Sequence, residues 1–333
     1  MDNTPNSFRI FDSPLKTLWP NPLNLICFQY FCRMWIYWGL LAAVFLGLHN
    51  ITKKISVREN AVFPVLFFTT LSSLGVLVPL FIGSVCFPEV LQSWGIFIPS
   101  LPWEQHFYIF IKSAIMCGSW ILGYSAMKHL PITIVSPIRS AGPFFTLLGA
   151  LSIYGERPNT WQWLGFALII GGMLWYSRVG KKEGIDFKRD KWIFAIIGAT
   201  FLGSGSGLYD KFLVHYQHLN AQTVQFWFCF YIVALMALVC LFYRWKSPEK
   251  VTGFDWRWSI LATGIGIVIA DFCYFRGLED PSAMIMLLSA IKRSQIFISV
   301  FVGGWIFKER NKRKKMLPLF AVLLGVGLIL YAS

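Results

Sequence analysis

Residues 136–157 read SPIRSAGPFFTLLGALSIYGER, and residues 289–310 read SAIKRSQIFISVFVGGWIFKER. Laid over one another, the two stretches put Ser136 on Ser289, Arg139 on Lys292, Phe144 on Phe297 and Thr146 on Ser299. Both close on the same pair, Glu156-Arg157 and Glu309-Arg310. The match extends outward with small slips of register. Tyr124 through Pro131 matches Tyr274 through Pro281, and Trp35-Ile36 followed by Phe45-Leu46-Gly47 matches Trp192-Ile193 followed by Phe201-Leu202-Gly203. Internal self-similarity decides a fold before any local reading does, and here it makes the chain a tandem repeat.

Composition says what the repeat is made of. Of 333 residues, 56% are hydrophobic, 17% aromatic and 14% charged, whereas soluble domains carry about 25% charged residues. Apolar stretches of about 18 residues or more, each enough to cross a ~30 Å hydrocarbon core as a helix, recur along the chain. They fall at 35–52, 61–84, 106–126, 132–153, 160–178, 191–213, 221–244, 257–277, 282–307 and 316–332. The pattern predicts an all-α integral membrane protein with ten transmembrane helices. Between the second and third spans, residues 85–105 carry Phe87, Pro88, Trp94, Phe97, Pro99, Pro102 and Trp103, a composition suited to the headgroup level that Trp favours. Residues 1–33 are polar and hold Pro14, Pro20 and Pro22, so they read as an N-terminal extension; Met34 opens directly into Trp35-Ile36-Tyr37-Trp38, which makes a start at Met34 a second reading of that end. Because five spans is an odd number, the second copy must enter the membrane from the opposite side. Residues 34–179 and 190–333 are therefore expected to form an inverted pair of repeats, a plan of secondary transporters that puts the substrate site near the midplane between halves.

The paired closings Gly155-Glu156-Arg157 and Lys308-Glu309-Arg310 are each followed by a glycine-bearing last span, with Gly165, Gly171 and Gly172 in one half and Gly325 and Gly327 in the other. In these features the chain resembles the drug/metabolite transporter superfamily, in its EamA type, over about residues 35–333. The resemblance implies ten helices around a central cavity, the last helix of each half more peripheral, and alternating access.

The formal net charge of +14 would suggest nucleic acid in a soluble protein, but the basic residues sit mostly in loops between spans, which is a statement of topology. Twenty of the 30 Lys and Arg residues fall in the odd-numbered loops and six on the other side, tails included. The positive-inside rule then puts the odd loops in the cytoplasm and both termini outside an inner membrane. Carriers of the resembling type usually hold both termini in the cytoplasm; the charges are followed here. The seven cysteines are scattered, mostly in apolar runs, and read as small buried side chains.

Ionisable residues inside spans cost about 2.5–3.5 kcal/mol each on insertion scales and are functional candidates by default. Arg139 in the fourth span and Lys292 and Arg293 in the ninth are the deep cations. Helical spacing sets Ser136, Arg139, Gly142, Pro143 and Thr146 on one stripe, and Ser289, Lys292, Gln295 and Ser299 on another. Adjacent residues diverge by about 100° around a helix, so Lys292 and Arg293 are not expected to face one cavity equally. Asp271, one turn before Tyr274 and Phe275, reads as the one carboxylate well inside a span. In the functional reading Arg139, Lys292 and Arg293 bind a carboxylate, phosphate or sulfate, with Asp271, Tyr124, Tyr274, Ser136, Ser289 and Gln295 around it. In the structural reading the same bases pair with Asp271 and helix-end carbonyls. Gly47, Asn50 and Lys54, and their counterparts Gly203, Ser206, Gly207 and Asp210, suit close helix packing better than chemistry. Lys112 is expected to reach the headgroups. Glu156-Arg157 and Glu309-Arg310 suit pairing or carbonyl capping at helix ends, and the five histidines lie near span ends, where solvation explains them.

No glycine-rich phosphate loop, metal-spaced histidine pair or activated nucleophile occurs, so neither an enzyme nor a cofactor or metal site is expected. The reading is a secondary transporter of a small, anionic organic metabolite, in contact with membrane lipids, as a monomer or homodimer. The rivals are a lipid-phosphate flippase or scramblase, and a membrane-embedded enzyme or assembly subunit that transports nothing.

Overall fold

The computed structural model describes residues 34–130, 135, 138–139, 142–180, 191–306 and 312–332. Its described residues form helices, turns and connections. The helices are α1 (Met34–Val57), α2 (Val62–Cys86), α3 (Pro88–Ser93), α4 (Trp103–His129), α5 (Gly142–Ile153) and α6 (Thr160–Gly180). There follow α7 (Lys191–Lys211), α8 (Ala221–Lys246), α9 (Trp258–Leu278), α10 (Ile285–Lys292), α11 (Gln295–Ile306) and α12 (Lys312–Ala332). Six of these elements, α1, α2, α4, α7 with its extension to Tyr216, α8 and α9, are long and apolar enough to cross a membrane. The extension 1–33, Ser136 and the Glu309-Arg310 pair lie outside the described residues.

The helices start where local chemistry allows. Asn220 caps α8 by accepting the Thr223 N–H at 2.8 Å, which satisfies one of the amides that a helix start leaves open. Asn60, between α1 and α2, accepts the Ala61 N–H at 2.8 Å and the Asp255 N–H at 3.0 Å, and its amide donates to the Asp255 carbonyl at 2.8 Å. One side chain thereby ties the α1–α2 turn to the segment entering α9.

Packing is reciprocal between the two halves of the sequence. α1 packs chiefly on α9 and α4 on α7; α2 lies against α8, α5 against α10, and α6 against α12. Glycines permit the closest of these approaches. A Cβ at Gly165 would lie 2.7 Å from the Gly325 carbonyl oxygen, and one at Gly47 would lie 2.6 Å from the Ile298 Cβ, so both positions serve helix contact. Gly171 and Gly327 face open space. Outward faces are apolar, with Phe201, Leu238 and Leu241 exposed, as lipid-facing helices require.

Three expectations change, and one segment gains detail. α1 runs to Val57, five residues past its expected end, because the polar Thr52-Lys53-Lys54 stretch stays helical; Lys53 thereby moves from a loop into a buried helix face. α7 continues as a π-turn over Phe212–Tyr216. The interfacial segment contains one short helix, α3, with Trp94 and Trp103 exposed beside it. The ninth apolar stretch is two helices, not one: at Arg293 and Ser294 the hydrogen bonds shorten to the i, i+3 pattern, Arg293 N–H to Ala290 O at 3.0 Å and Ser294 N–H to Ile291 O at 2.9 Å.

Candidate functional site

Helices of both halves enclose a cavity of about 280 Å³. Arg139, Asp271, Lys292, Arg293, Tyr124, Tyr274, Ser289 and Gln295 all line it, as do Lys53, His49, Lys112 and Asp210. Eight of the nine candidate residues read from the sequence thus meet in one place, and the ninth, Ser136, lies outside the described residues.

The break between α10 and α11 lets two adjacent cations serve different parts of this cavity. Lys292 holds its Nζ 3.5 Å from the centre of the Tyr274 ring, within the electrostatic reach of Asp271 and Asp210. Arg293 points toward α5, where its Nη2 lies 2.5 Å from the place a Cβ would take at Gly142. The 100° divergence expected for a continuous helix does not apply across this turn, and both side chains reach the cavity.

Lys112 and Asp210 correct two expectations. Lys112 is 3% exposed, its Nζ 2.5 Å from Asp210 Oδ1 and 4.4 and 4.5 Å from the ring centres of Phe228 and Phe275. It does not reach headgroups, because a carboxylate and two ring faces hold it inside. Asp210, read as part of a packing stripe near a span end, is buried and within the electrostatic reach of Tyr274. Asp271 is therefore not the lone intramembrane carboxylate.

At the other end of the cavity no carboxylate among the described residues answers the cations. Lys53 is 4% exposed and sits 3.9 Å from the centre of the Tyr124 ring, a cation–π contact that softens but does not neutralise a buried charge. Arg139 stacks its guanidinium where Gly123 leaves room, 3.5 Å from the position of a Cβ there, and forms no ion pair with a described residue. Arg293 Nε is buried without a hydrogen-bond partner among the described residues. His49, expected to be solvated, lines this end and donates from Nδ1 to the Thr263 carbonyl at 3.0 Å. Asn50 donates to Gln295 at 3.2 Å, joining α1 to α11 beside the cations.

Glu156 takes the first of its two expected roles, pairing rather than carbonyl capping, and adds a further one. Gly155 takes φ 61° and turns the chain after α5, so that the Glu156 carboxylate meets Lys211 Nζ at 2.6 Å and accepts the Ile285 and Met286 N–H groups at 2.9 and 3.3 Å. It caps amides, at the start of α10, where the helix dipole favours an anion. Among the described residues no cluster of His, Cys, Asp and Glu could hold a metal ion.

Three signals were available in sequence for the missed residues and were read too narrowly. Asp210 lay on a polar stripe credited to packing, Lys53 fell in the loop after the first span, and Lys112 stood alone in its span. What hid them was contact between helices, for Lys112 and Asp210 across the halves, which spacing along one helix does not reveal.

Comparison with known proteins agrees with this architecture. A solved structure described only as "Crystal structure of protein" superposes with a TM-score of 0.63 over 90% of this chain and 97% of its own, at 16% identity, a likeness of fold alone. A relative from Haemophilus influenzae (strain ATCC 51907 / DSM 11121 / KW20 / Rd), described as an uncharacterized transporter, is 30% identical over 114 residues. That match spans 33% of this chain and 35% of the relative, about a third of each. The sequence model of the EamA-like transporter family matches residues 33–178 and again residues 190–331. With both copies matched across most of its length, the chain belongs to the EamA-like transporter family of membrane proteins.

Proposed function

We propose that the protein is a secondary carrier that moves a small organic anion across the membrane by alternating access, with no enzymatic step. The observation that carries this reading is the cationic end of the cavity: Lys53, Arg139 and Arg293 line it with no carboxylate partner among the described residues. Charges held inside a membrane-spanning fold without partners are too costly to keep as glue, and an anion from either side of the membrane supplies the compensation. In this reading residues 34–179 and 190–333 act as two five-helix repeats of inverted topology, ten spans in all. They rock around a substrate held by Arg139, Lys292, Arg293, Asp271, Tyr124, Tyr274, Ser136, Ser289 and Gln295, to which Lys53 is added. The odd-numbered loops face the cytoplasm and the termini lie outside, in the inner membrane of the cell.

The experiment is a thermal-shift screen of the purified protein against anionic, zwitterionic and neutral metabolites, run in parallel on Lys292→Ala and Arg139→Ala. A ligand that binds the native state raises its apparent stability. Anions alone stabilising the wild type, with the shift lost in either variant, is the expected result. Neutral or cationic compounds stabilising all three proteins alike would return these bases to a structural role.

A further inference from the structure

We infer that the cationic end of the cavity takes a phosphate monoester, a compact head carrying two negative charges; the inference rests on the anion-carrier reading above. The cavity holds five basic side chains, Lys53, Lys112, Arg139, Lys292 and Arg293, against two carboxylates, Asp210 and Asp271. Both carboxylates belong to one end. Asp210 closes on Lys112 at 2.5 Å, and Asp271 and Lys292 act on one another's charge there. The three cations left over come from three separate places in the fold: α1, the helical residues before α5, and the turn between α10 and α11.

They converge. Arg139 lies near enough to both Lys53 and Arg293 for its charge to act on each. Each guanidinium is seated on a glycine rather than a carboxylate, Arg139 at Gly123 and Arg293 at Gly142. The Gly142 carbonyl is in turn fixed by the Ser204 hydroxyl at 2.9 Å, so the seat of Arg293 is held from α7. Arg293 Nε remains a buried donor with nothing to donate to among the described residues.

That arrangement selects among anions. A monocarboxylate brings one charge and two acceptor oxygens to three cations, and leaves two of them uncompensated. A dicarboxylate spreads its charges along its length, whereas the three cations line one cavity with Arg139 in electrostatic reach of the other two. A phosphate monoester presents about two charges and three acceptor oxygens on one tetrahedral head, and charge-assisted hydrogen bonds from two arginine forks and a lysine match it. The esterified remainder then extends toward Tyr274, Ser289 and Asp271, an end whose charges are balanced and which suits hydroxyl groups.

The test uses the full-length purified protein and measures binding by calorimetry at pH 7.5, where methyl phosphate is mostly dianionic. Dimethyl phosphate keeps the tetrahedral head but carries one charge; acetate and succinate complete the set. Methyl phosphate is expected to bind at least tenfold more tightly than any of the other three, with that preference lost in Lys53→Gln and in Arg293→Gln. Equal binding of dimethyl phosphate or acetate, or tighter binding of succinate, would overturn the phosphate assignment and leave the anion-carrier reading standing. Binding of neutral compounds with no anion bound at all would overturn both. Should the variants not fold, the wild-type contrast between methyl and dimethyl phosphate decides by itself. Competition by glycerol 3-phosphate assigns the head to a water-soluble ester, and competition by dihexanoyl phosphatidic acid alone assigns it to a lipid; either supports the phosphate head.

Discussion

The two ends of the cavity occupy matched places in the two halves of the chain and carry opposite balances of charge. Counted from Trp35 and Trp192, Lys53 of α1 and Asp210 of α7 fall at the same position, and each meets the matched tyrosine of its half. Lys53 lies over the Tyr124 ring, while Asp210 and Tyr274 act on one another electrostatically. Arg139 and Lys292 are likewise equivalent, and both are cationic. Among the described residues one end therefore gathers bases without a carboxylate, and the other, helped by Lys112, sets cations against carboxylates. The lesson is that a repeat can keep its packing symmetric while its charges diverge, because helix contact depends on shape and a buried charge depends on its partners.

Predictions follow from that asymmetry, beginning with the largest effect. Replacing Arg293 by Gln removes one of three unpaired cations, and anion affinity should fall at least about 30-fold, the usual cost of losing one member of a buried charge contact; equilibrium binding reads it, and an unchanged affinity would dissolve the distinction between the ends. Flux should show the same asymmetry. An empty carrier must bury uncompensated cations as it reorients, at several kcal/mol per ion, so uptake into proteoliposomes preloaded with the same anion should exceed uptake into empty vesicles by about tenfold or more. Equal rates would mean that the cationic end sheds its charge by another route.

Stability should separate the equivalent residues Lys53 and Asp210. Asp210→Asn strands Lys112 in a buried site and should cost about 3–5 kcal/mol, seen as a lowered Tm in detergent. Lys53→Gln strands nothing and removes a buried charge, so Tm should hold or rise while anion binding is lost, a trade of function for stability. Variants with the same sign of Tm change would remove the comparison. Glu156→Gln, outside the cavity, weakens the contacts to Lys211 and to the first amides of α10, and should cost about 1–3 kcal/mol with the anion preference unchanged. A loss of the same size, about 1–3 kcal/mol of packing, is expected at Gly165→Ala, where the new Cβ presses on the Gly325 carbonyl without touching either end of the cavity.

Much of this was legible before any coordinates. Most of the apolar runs fall on helices of the described residues, the ninth on two of them, and the repeat placed Arg139 and Lys292 at equivalent positions that do line one cavity. Boundaries were read poorly where polarity and helix end were taken to coincide: Thr52-Lys53-Lys54 looked like a loop because two lysines followed an apolar run. Lys112 was read as snorkelling because its distance from the span end was known and its neighbours were not. Glu156 was recognised as a helix-end residue, but which helix end it served, the start of α10, lay more than a hundred positions away along the chain.

The sequence by itself determined the solvent, the segments and the repeat: hydrophobicity and period are properties of neighbours along the chain, and the membrane reads them directly. The tertiary structure alone decided which buried charges are satisfied. Whether Lys53 is stranded and Lys112 paired depends on which helix faces each across a few ångströms. That choice is made by interlocking of α1 with α9 and α4 with α7, and electrostatic energy at such range in a medium of low dielectric falls too steeply with distance for spacing along the chain to foretell it.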